Sequence, residues 1–219
     1  MDQIILGTDS FAENPEPRCP CVLVLDTSGS MSGEAIAQLN VGLRRFRDDL
    51  MSDTLAMKRV DVAIITFGPT QLEMPFQTAG SFIPPTLNAS GDTPLGGAVQ
   101  MALELVRQRK VEYRSNGIAY YRPWIFLITD GAPTDQWAPA AAALKEAEAS
   151  KSVAFFAVGV DGADMAVLNQ FGSRGAARLN GFQFREMFQW LSASMSAVSR
   201  SAIDAEFIAL PAPSGWTRV

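Results

Sequence analysis

Asp26-Thr27-Ser28-Gly29-Ser30 stands directly behind the apolar run Val22-Leu23-Val24-Leu25, and this join decides the fold. A short, β-branched apolar run bounded by a turn reads as a strand covered on both faces. The turn that ends it delivers a carboxylate and two hydroxyls to the strand's carboxyl end. All three are hard oxygen donors of the kind a divalent cation such as Mg²⁺ prefers in an octahedral shell.

Strands and helices alternate along the chain. Ile36, Leu39, Leu43, Phe46 and Leu50 recur at three- and four-residue steps and predict an amphipathic helix, with Ser32 as its cap and Glu34 at its positive end. Residues 60–67 read as a second strand and 71–78 as a short third one antiparallel to it; the stretch with Pro84 and Pro85 is loop. Thr93-Pro94 predicts a helix start, Thr at the cap and Pro where no donor is lost, followed by the stripe Leu95, Val99, Leu103 and Val106. A buried strand over 124–129 ends in Asp130-Gly131. Thr134 or Asp135 then starts a helix carrying the alanine-rich 140–149. Residues 153–160 form another apolar strand, 165–171 a short helix, and Phe184, Met187, Phe188, Leu191, Met195 and Val198 the apolar side of a last helix.

This alternation predicts α/β class: a three-layer α/β/α Rossmann-like sandwich with a mostly parallel central sheet and one short antiparallel edge strand. One domain over 19–202 follows, flanked by an N-terminal arm, 1–18, and a C-terminal tail, 203–219. The tail either lies across the domain or stays mobile, and Trp216 in it reads as a packing peg.

Composition removes several function classes. The chain has 219 residues, 47% of them hydrophobic, enough for one large core. Acidic residues outnumber basic ones, 23 to 18, for a formal charge of -5, which argues against nucleic acid as the partner. Arg44, Arg45 and Arg47 read as a solvated helix face. Histidine is absent, and with it the Ser-His-Asp and Cys-His nucleophile systems and imidazole metal ligation. Cys19 and Cys21 are too few for a structural zinc site; their Cys-Pro-Cys spacing reads either as a redox-active pair or, in preference, as two reduced, half-buried thiols. Residues 1–7 lack the basic and apolar regions of a signal peptide, and no apolar run approaches the ~20 residues that span a bilayer. A cytoplasmic protein with no membrane contact is the expectation.

Asp26, Ser28 and Ser30 follow the first strand, Thr93 opens a helix, and Asp130 follows the fourth strand. In an open parallel sheet these positions share the carboxyl edge, where a crevice forms between diverging connections. Taken singly, the two aspartates are turn formers and the hydroxyls helix caps. Together, alternation, strand ends and ligand types agree.

These residues resemble the von Willebrand factor A domain with its metal-ion-dependent adhesion site. The match lies in Asp26-x-Ser28-x-Ser30, in Thr93 within Gly91-Asp92-Thr93-Pro94-Leu95-Gly96, and in Asp130 within Ile128-Thr129-Asp130-Gly131; it extends over roughly 21–200. The resemblance implies that Ser28 and Ser30 coordinate Mg²⁺ or Mn²⁺ directly, Thr93 does so when a ligand is bound, and Asp26 and Asp130 act largely through waters. It also implies a partner protein that supplies a Glu or Asp to the open position. The flanking residues, from Cys19-Pro20-Cys21 to Ser32-Gly33 and over Ile128-Thr129-Asp130-Gly131-Ala132-Pro133-Thr134-Asp135, are most similar to bacterial tellurium-resistance proteins of the TerY type. That similarity implies an adaptor in a stress-linked phosphorylation system with a protein kinase and a protein phosphatase.

The reading that follows is a non-enzymatic, metal-dependent protein-binding module whose partner-binding rim comprises Gln71, Asp92, Pro133, Gln136 and Trp137. Trp137 is either an interface anchor or a residue packed on its own domain. A rival is a metal-assisted phosphohydrolase with Asp26 as nucleophile, but such enzymes carry a second Asp two residues on, where this chain has Ser28. A purely structural ion is a third reading.

Overall fold

The computed structural model describes residues 11, 14–203, 205, 208–213 and 215–218. The stretch 1–7, read above for a signal peptide, lies outside these, as does most of the expected N-terminal arm. In chain order the elements are β1 (Cys19–Asp26), α1 (Glu34–Ser52), α2 (Ala56–Arg59), β2 (Val60–Phe67), β3 (Gln71–Thr78), α3 (Leu95–Ser115), β4 (Trp124–Thr129), α4 (Ala138–Ala149), β5 (Ala154–Gly159), α5 (Met165–Leu168), β6 (Ala177–Leu179), α6 (Phe184–Arg200) and β7 (Thr217–Arg218).

The sheet runs β3-β2-β1-β4-β5-β6-β7. β1 pairs in parallel with β2 and β4, β4 with β5, and β5 with β6; β3 is the antiparallel edge strand beside β2. The mostly parallel sandwich is therefore as the sequence predicts. Beyond it, β6 and the two-residue β7 extend the far edge, β7 antiparallel, with Leu179 opposite Thr217. The tail thus lies across the domain: Trp216 is buried against Trp190, ring centroids 5.5 Å apart, and its carbonyl accepts from Asn180 N at 2.8 Å.

Every residue of β1, β2 and β4 is buried, because helices cover both faces. On one face Leu23, Leu25, Val62, Ile64, Phe126 and Ile128 meet α1 and α6 through Leu39, Leu43, Phe46, Phe188 and Leu191. On the other, Val22, Val24, Ala63, Ile65, Ile125 and Leu127 meet α3 and α4 through Val99, Ala102, Val106 and Leu144. Among the described residues no helix is long and apolar enough to cross a membrane.

Cys19 and Cys21 are fully buried rather than half-buried, since a central strand leaves neither of its faces to solvent. Burial pushes both thiols up, Cys21 to about 12.

At the amino end of the sheet lies a buried ionic network. Asp61 accepts from Arg109 Nη2 at 2.7 Å and from Tyr113 Oη at 2.6 Å, and Arg18 Nε stands 3.8 Å from its other oxygen. The Arg109 guanidinium sits 4.9 Å from the ring centres of Phe11 and Tyr113 and 5.2 Å from that of Phe76. Arg18 also donates to the Lys58 and Asn14 carbonyls, so the end of the N-terminal arm is tied into the domain.

Two outcomes follow. The native protein resists dithionitrobenzoate at both cysteines and reacts in full once denatured, because modification needs an exposed thiolate; a prompt native reaction would contradict the burial. Asp61→Ala leaves the buried Arg18 guanidinium without its counter-charge and Arg109 with Glu112 alone, and lowers urea-measured stability by about 3–5 kcal/mol.

Candidate metal centre

β1 and β4 are neighbours, yet their chains leave for opposite faces, β1 into α1 and β4 into α4. A crevice opens at that switch point, above the carboxyl ends of both strands. Asp26 ends β1 and is fully buried. Its Oδ1 accepts from Ser28 N at 2.8 Å, and its Oδ2 accepts from the Thr129 hydroxyl on β4. The same hydroxyl accepts from Gly131 N at 3.2 Å, so Thr129 binds the two strand ends together and shapes the turn carrying Asp130.

Above Asp26 the side-chain oxygens form a chain. Ser28 Oγ lies 2.9 Å from Ser30 Oγ, and Ser30 Oγ donates to Asp130 Oδ1 at 2.7 Å. Thr93 comes in from the third loop: a Cβ on Gly131 would lie 3.2 Å from its hydroxyl. Among the described residues that hydroxyl forms no hydrogen bond. All five predicted positions are thus gathered at one point, with Ser28, Ser30 and Asp130 in direct contact, Asp26 beneath them and Thr93 alongside.

Backbone contacts hold the loops at this distance. Ser90 N donates to Thr27 O at 2.7 Å, Gly29 N to Gly91 O at 2.9 Å and Thr27 N to Phe67 O at 3.0 Å. Gly68 sits where three loops meet: a Cβ there would come within 2.4 Å of Ser90 O and 2.8 Å of Thr27 O. Gly91 adopts φ +77°, which a side chain would strain.

The helix starts differ from the sequence reading, for reasons local to the site. α1 begins at Glu34 with Gly33, not Ser32, at its cap. α3 begins at Leu95 with Pro94 at the cap position, because the Thr93 backbone is engaged elsewhere: Thr134 N donates to Thr93 O at 2.9 Å and Thr93 N to Thr134 Oγ1 at 3.1 Å. Asp135 does not start α4, which begins at Ala138. Its carboxylate caps α3 instead, accepting from Gly96 N at 2.9 Å and Gly97 N at 2.8 Å. Thr129, Thr134 and Asp135 are therefore supporting residues that sequence reasoning missed; each acts on a different element from its own, and local spacing carries no sign of that.

Of the expected rim, Gln71, Asp92 and Gln136 are exposed and Pro133 is half-buried. Trp137 is also half-buried, and its ring packs on Phe171 with centroids 5.6 Å apart. It belongs to the domain's own core rather than to a projecting rim.

The electrostatics favour a cation. Burial raises the Asp26 carboxyl above its usual range, opposed by hydrogen bonds from Ser28 and Thr129, and the nearby Asp130 charge raises it further. Burial likewise raises Asp130, against the hydrogen bond from Ser30. Loops 27–33, 68–70, 83–94, 130–137 and 160–164 contain Asp92, Asp130, Asp135, Asp161 and Asp164 and no lysine or arginine. With Asp26 these carboxylates outweigh the net charge of -5 of the entire chain, so the remainder is balanced.

The spacing also suits a cation. An octahedral Mg²⁺ shell with bonds of about 2.0–2.1 Å sets neighbouring oxygens about 2.9 Å apart, the separation found between Ser28 and Ser30. Among the described residues no group of three or more His, Cys, Asp and Glu gathers as a metal site, so a cation here relies on hydroxyls as well as carboxylates.

The family model described as von Willebrand factor type A domain matches residues 21–192. No curated protein matches the chain by sequence. Among solved structures, the pilus adhesin SpaC from Lactobacillus rhamnosus GG in its open conformation is similar at TM-score 0.65 and 12% identity, covering 84% of this chain and 31% of that one. Proximal thread matrix protein 1 from the mussel byssus is similar at TM-score 0.57 and 14% identity, covering 84% and 49%. The same mussel protein has also been solved with a zinc-occupied MIDAS motif, at TM-score 0.56 and 13% identity, covering 84% and 49%. The ArnB paralog VWA2 from Sulfolobus acidocaldarius is similar at TM-score 0.53 and 16% identity, covering 81% and 45%. The chain spans about half or less of the length of these structures.

Gly68→Ala tests the seam between the loops. The added Cβ pushes the Thr27 and Ser90 backbones apart, lowers stability by about 1–3 kcal/mol, and speeds amide hydrogen exchange at Ser90 and Gly29. Unchanged protection at both amides would show that the loops are held some other way.

Proposed function

The chain belongs to the von Willebrand factor type A domain family, and from that premise we propose that it is a metal-dependent protein-binding module. Ser28, Ser30, Thr93 and Asp130 would hold Mg²⁺ or Mn²⁺, directly or through water. Asp26, wholly buried, would fix the Ser28 turn and contribute its charge from beneath. When bound, the cation offers an electrophilic position that a carboxylate from a partner can fill. The observation that carries this reading is the oxygen chain Ser28–Ser30–Asp130, with separations of 2.9 Å and 2.7 Å, in loops that carry no basic residue.

A binding role is supported over hydrolysis by the state of Asp26. Both of its oxygens already accept hydrogen bonds, and it has no exposed surface from which to attack a phosphoryl group. The zinc-occupied motif named for the mussel protein and the adhesin role named for SpaC agree with a cation-centred contact. The TerY-type likeness of the flanking sequence adds the finer reading: a cytoplasmic bacterial adaptor for the kinase and phosphatase of a tellurium-resistance or stress-linked system.

Titration with Mn²⁺, followed by electron paramagnetic resonance with Mg²⁺ as competitor, tests the centre. Wild type binds one ion that Mg²⁺ displaces, and Asp130→Ala or Ser30→Ala weakens binding about tenfold or more while the circular dichroism spectrum is kept. Binding by both variants at wild-type affinity would remove the cation from this site. A large rise in melting temperature with Mg²⁺, set by RT ln(1 + [L]/Kd) and unaccompanied by any Mg²⁺-dependent protein contact, would favour a structural ion.

A further inference from the structure

Beside the oxygen chain, on the side toward β3, lies a second cavity of about 260 Å³. Its walls include Thr27 and Ser90, Thr66 at the end of β2, Gln71 and Glu73 on β3, and Asn88. Thr27 is the neighbour of Ser28, and Ser90 is bonded to it at 2.7 Å, so this cavity and the metal centre share a wall. Thr66 and Gln71 are paired across β2 and β3, and Glu73 sits at the bulge between Leu72 and Met74, its carboxylate meeting the Gln71 side chain.

The lining is mostly polar, broken by Pro69 and Leu87, and its side-chain acceptors are hydroxyl, amide and carboxylate oxygens. Glu73 is its one charged residue, half-buried, with a single neutral donor from Gln71 Nε2 at 2.7 Å. Asp26, Asp92 and Asp130 add negative charge nearby, and none of the surrounding loops carries a base to offset it. A partner that brought only an acid to this edge would meet net repulsion outside the contact with the cation. A partner that brought a base as well would find a carboxylate ready to accept a charge-assisted hydrogen bond.

We propose that this cavity receives a lysine or arginine side chain of the partner, so that the recognised segment carries Asp or Glu with a basic residue within about three positions of it. This rests on the metal-dependent reading above. It adds a selectivity that the cation alone cannot supply, because a metal-held carboxylate is the same in every acidic segment. Thr27, Asn88 and Ser90 would offer oxygens that accept from the remaining N–H groups of the ammonium or guanidinium, and Glu73 would supply its counter-charge.

The experiment is selection of a random peptide library displayed on phage. Phage are captured by the immobilised protein in Mg²⁺ and released with EDTA, for wild type, Glu73→Gln and Asp130→Ala. Wild type should release peptides with an acid and a nearby Lys or Arg. Glu73→Gln should release acid-bearing peptides without the basic enrichment, and Asp130→Ala should release none. A synthetic peptide from the wild-type pool whose base is changed to alanine should bind wild type roughly tenfold more weakly and bind Glu73→Gln no differently from its parent, the signature of direct coupling. Acid-bearing peptides without a nearby base from wild type, or basic enrichment that survives Glu73→Gln, would overturn this inference alone. Failure of wild type to yield any EDTA-released acidic peptide would overturn the metal-dependent reading and this inference with it. Glu73→Gln must keep wild-type Mn²⁺ affinity; if the metal is lost as well, Glu73 serves the centre and not a basic side chain.

Discussion

The buried carboxylate of Asp26 is the constraint on which this end of the molecule depends. It sits where two parallel strands separate, with no exposed surface and no lysine or arginine in the loops around it. Leaving such a charge unsatisfied would be costly, so both oxygens are engaged, one by the Ser28 amide and the other by the Thr129 hydroxyl of β4. Those two bonds also fix the geometry above it. The first curls the chain so that Ser28 and Ser30 share one side of the turn. The second locks β1 to β4 and brings Asp130 within reach of Ser30.

The third loop arrives by a different route, through main-chain contacts. Gly91 O receives Gly29 N and Thr27 O receives Ser90 N, an approach that leaves no room for a Cβ at Gly68. Thr93 is then held on its other side by Thr134, while Asp135 caps α3. Each of the three loops is thus bonded to at least one other before any cation enters, which keeps low the entropy lost on ordering donors around an ion.

Much of this was legible in the sequence, for a definite reason. β1, β4 and β5 are covered on both faces and appear as apolar runs, as does β2 apart from Asp61 and Thr66, and the five oxygen donors lie at strand or loop ends where the pattern stops. What stayed hidden depends on partners distant in the chain. β6 and β7 are three and two residues long, and their pairing accompanies the docking of Trp216 on Trp190. Asp135 has the local marks of a helix cap, and it is one, but for α3, roughly 40 residues earlier in the chain than a local reading would look. The cysteines look half-buried from composition alone, because nothing in Cys19-Pro20-Cys21 reveals that helices close over both sides of β1. Trp137, a conspicuous aromatic beside the site, spends its ring on Phe171 for a similar reason: the loop after β4 turns back onto its own core.

The two ends of the sheet treat charge in opposite ways, and the difference separates support from function. At the amino end, Asp61 is buried between Arg18 and Arg109, with Tyr113 as a second donor and aromatic rings around the Arg109 guanidinium. There the opposite charges come from the chain itself, with Arg109 and Tyr113 bonded to one Asp61 oxygen and Arg18 facing the other at 3.8 Å. At the carboxyl end the carboxylates have only neutral donors, and the chain offers no histidine anywhere and no lysine or arginine in the adjoining loops. What such a site offers readily is coordination. A positive charge from outside the polypeptide would balance these carboxylates, which supports reading this edge as a place where a cation, and then a partner's side chains, complete the structure.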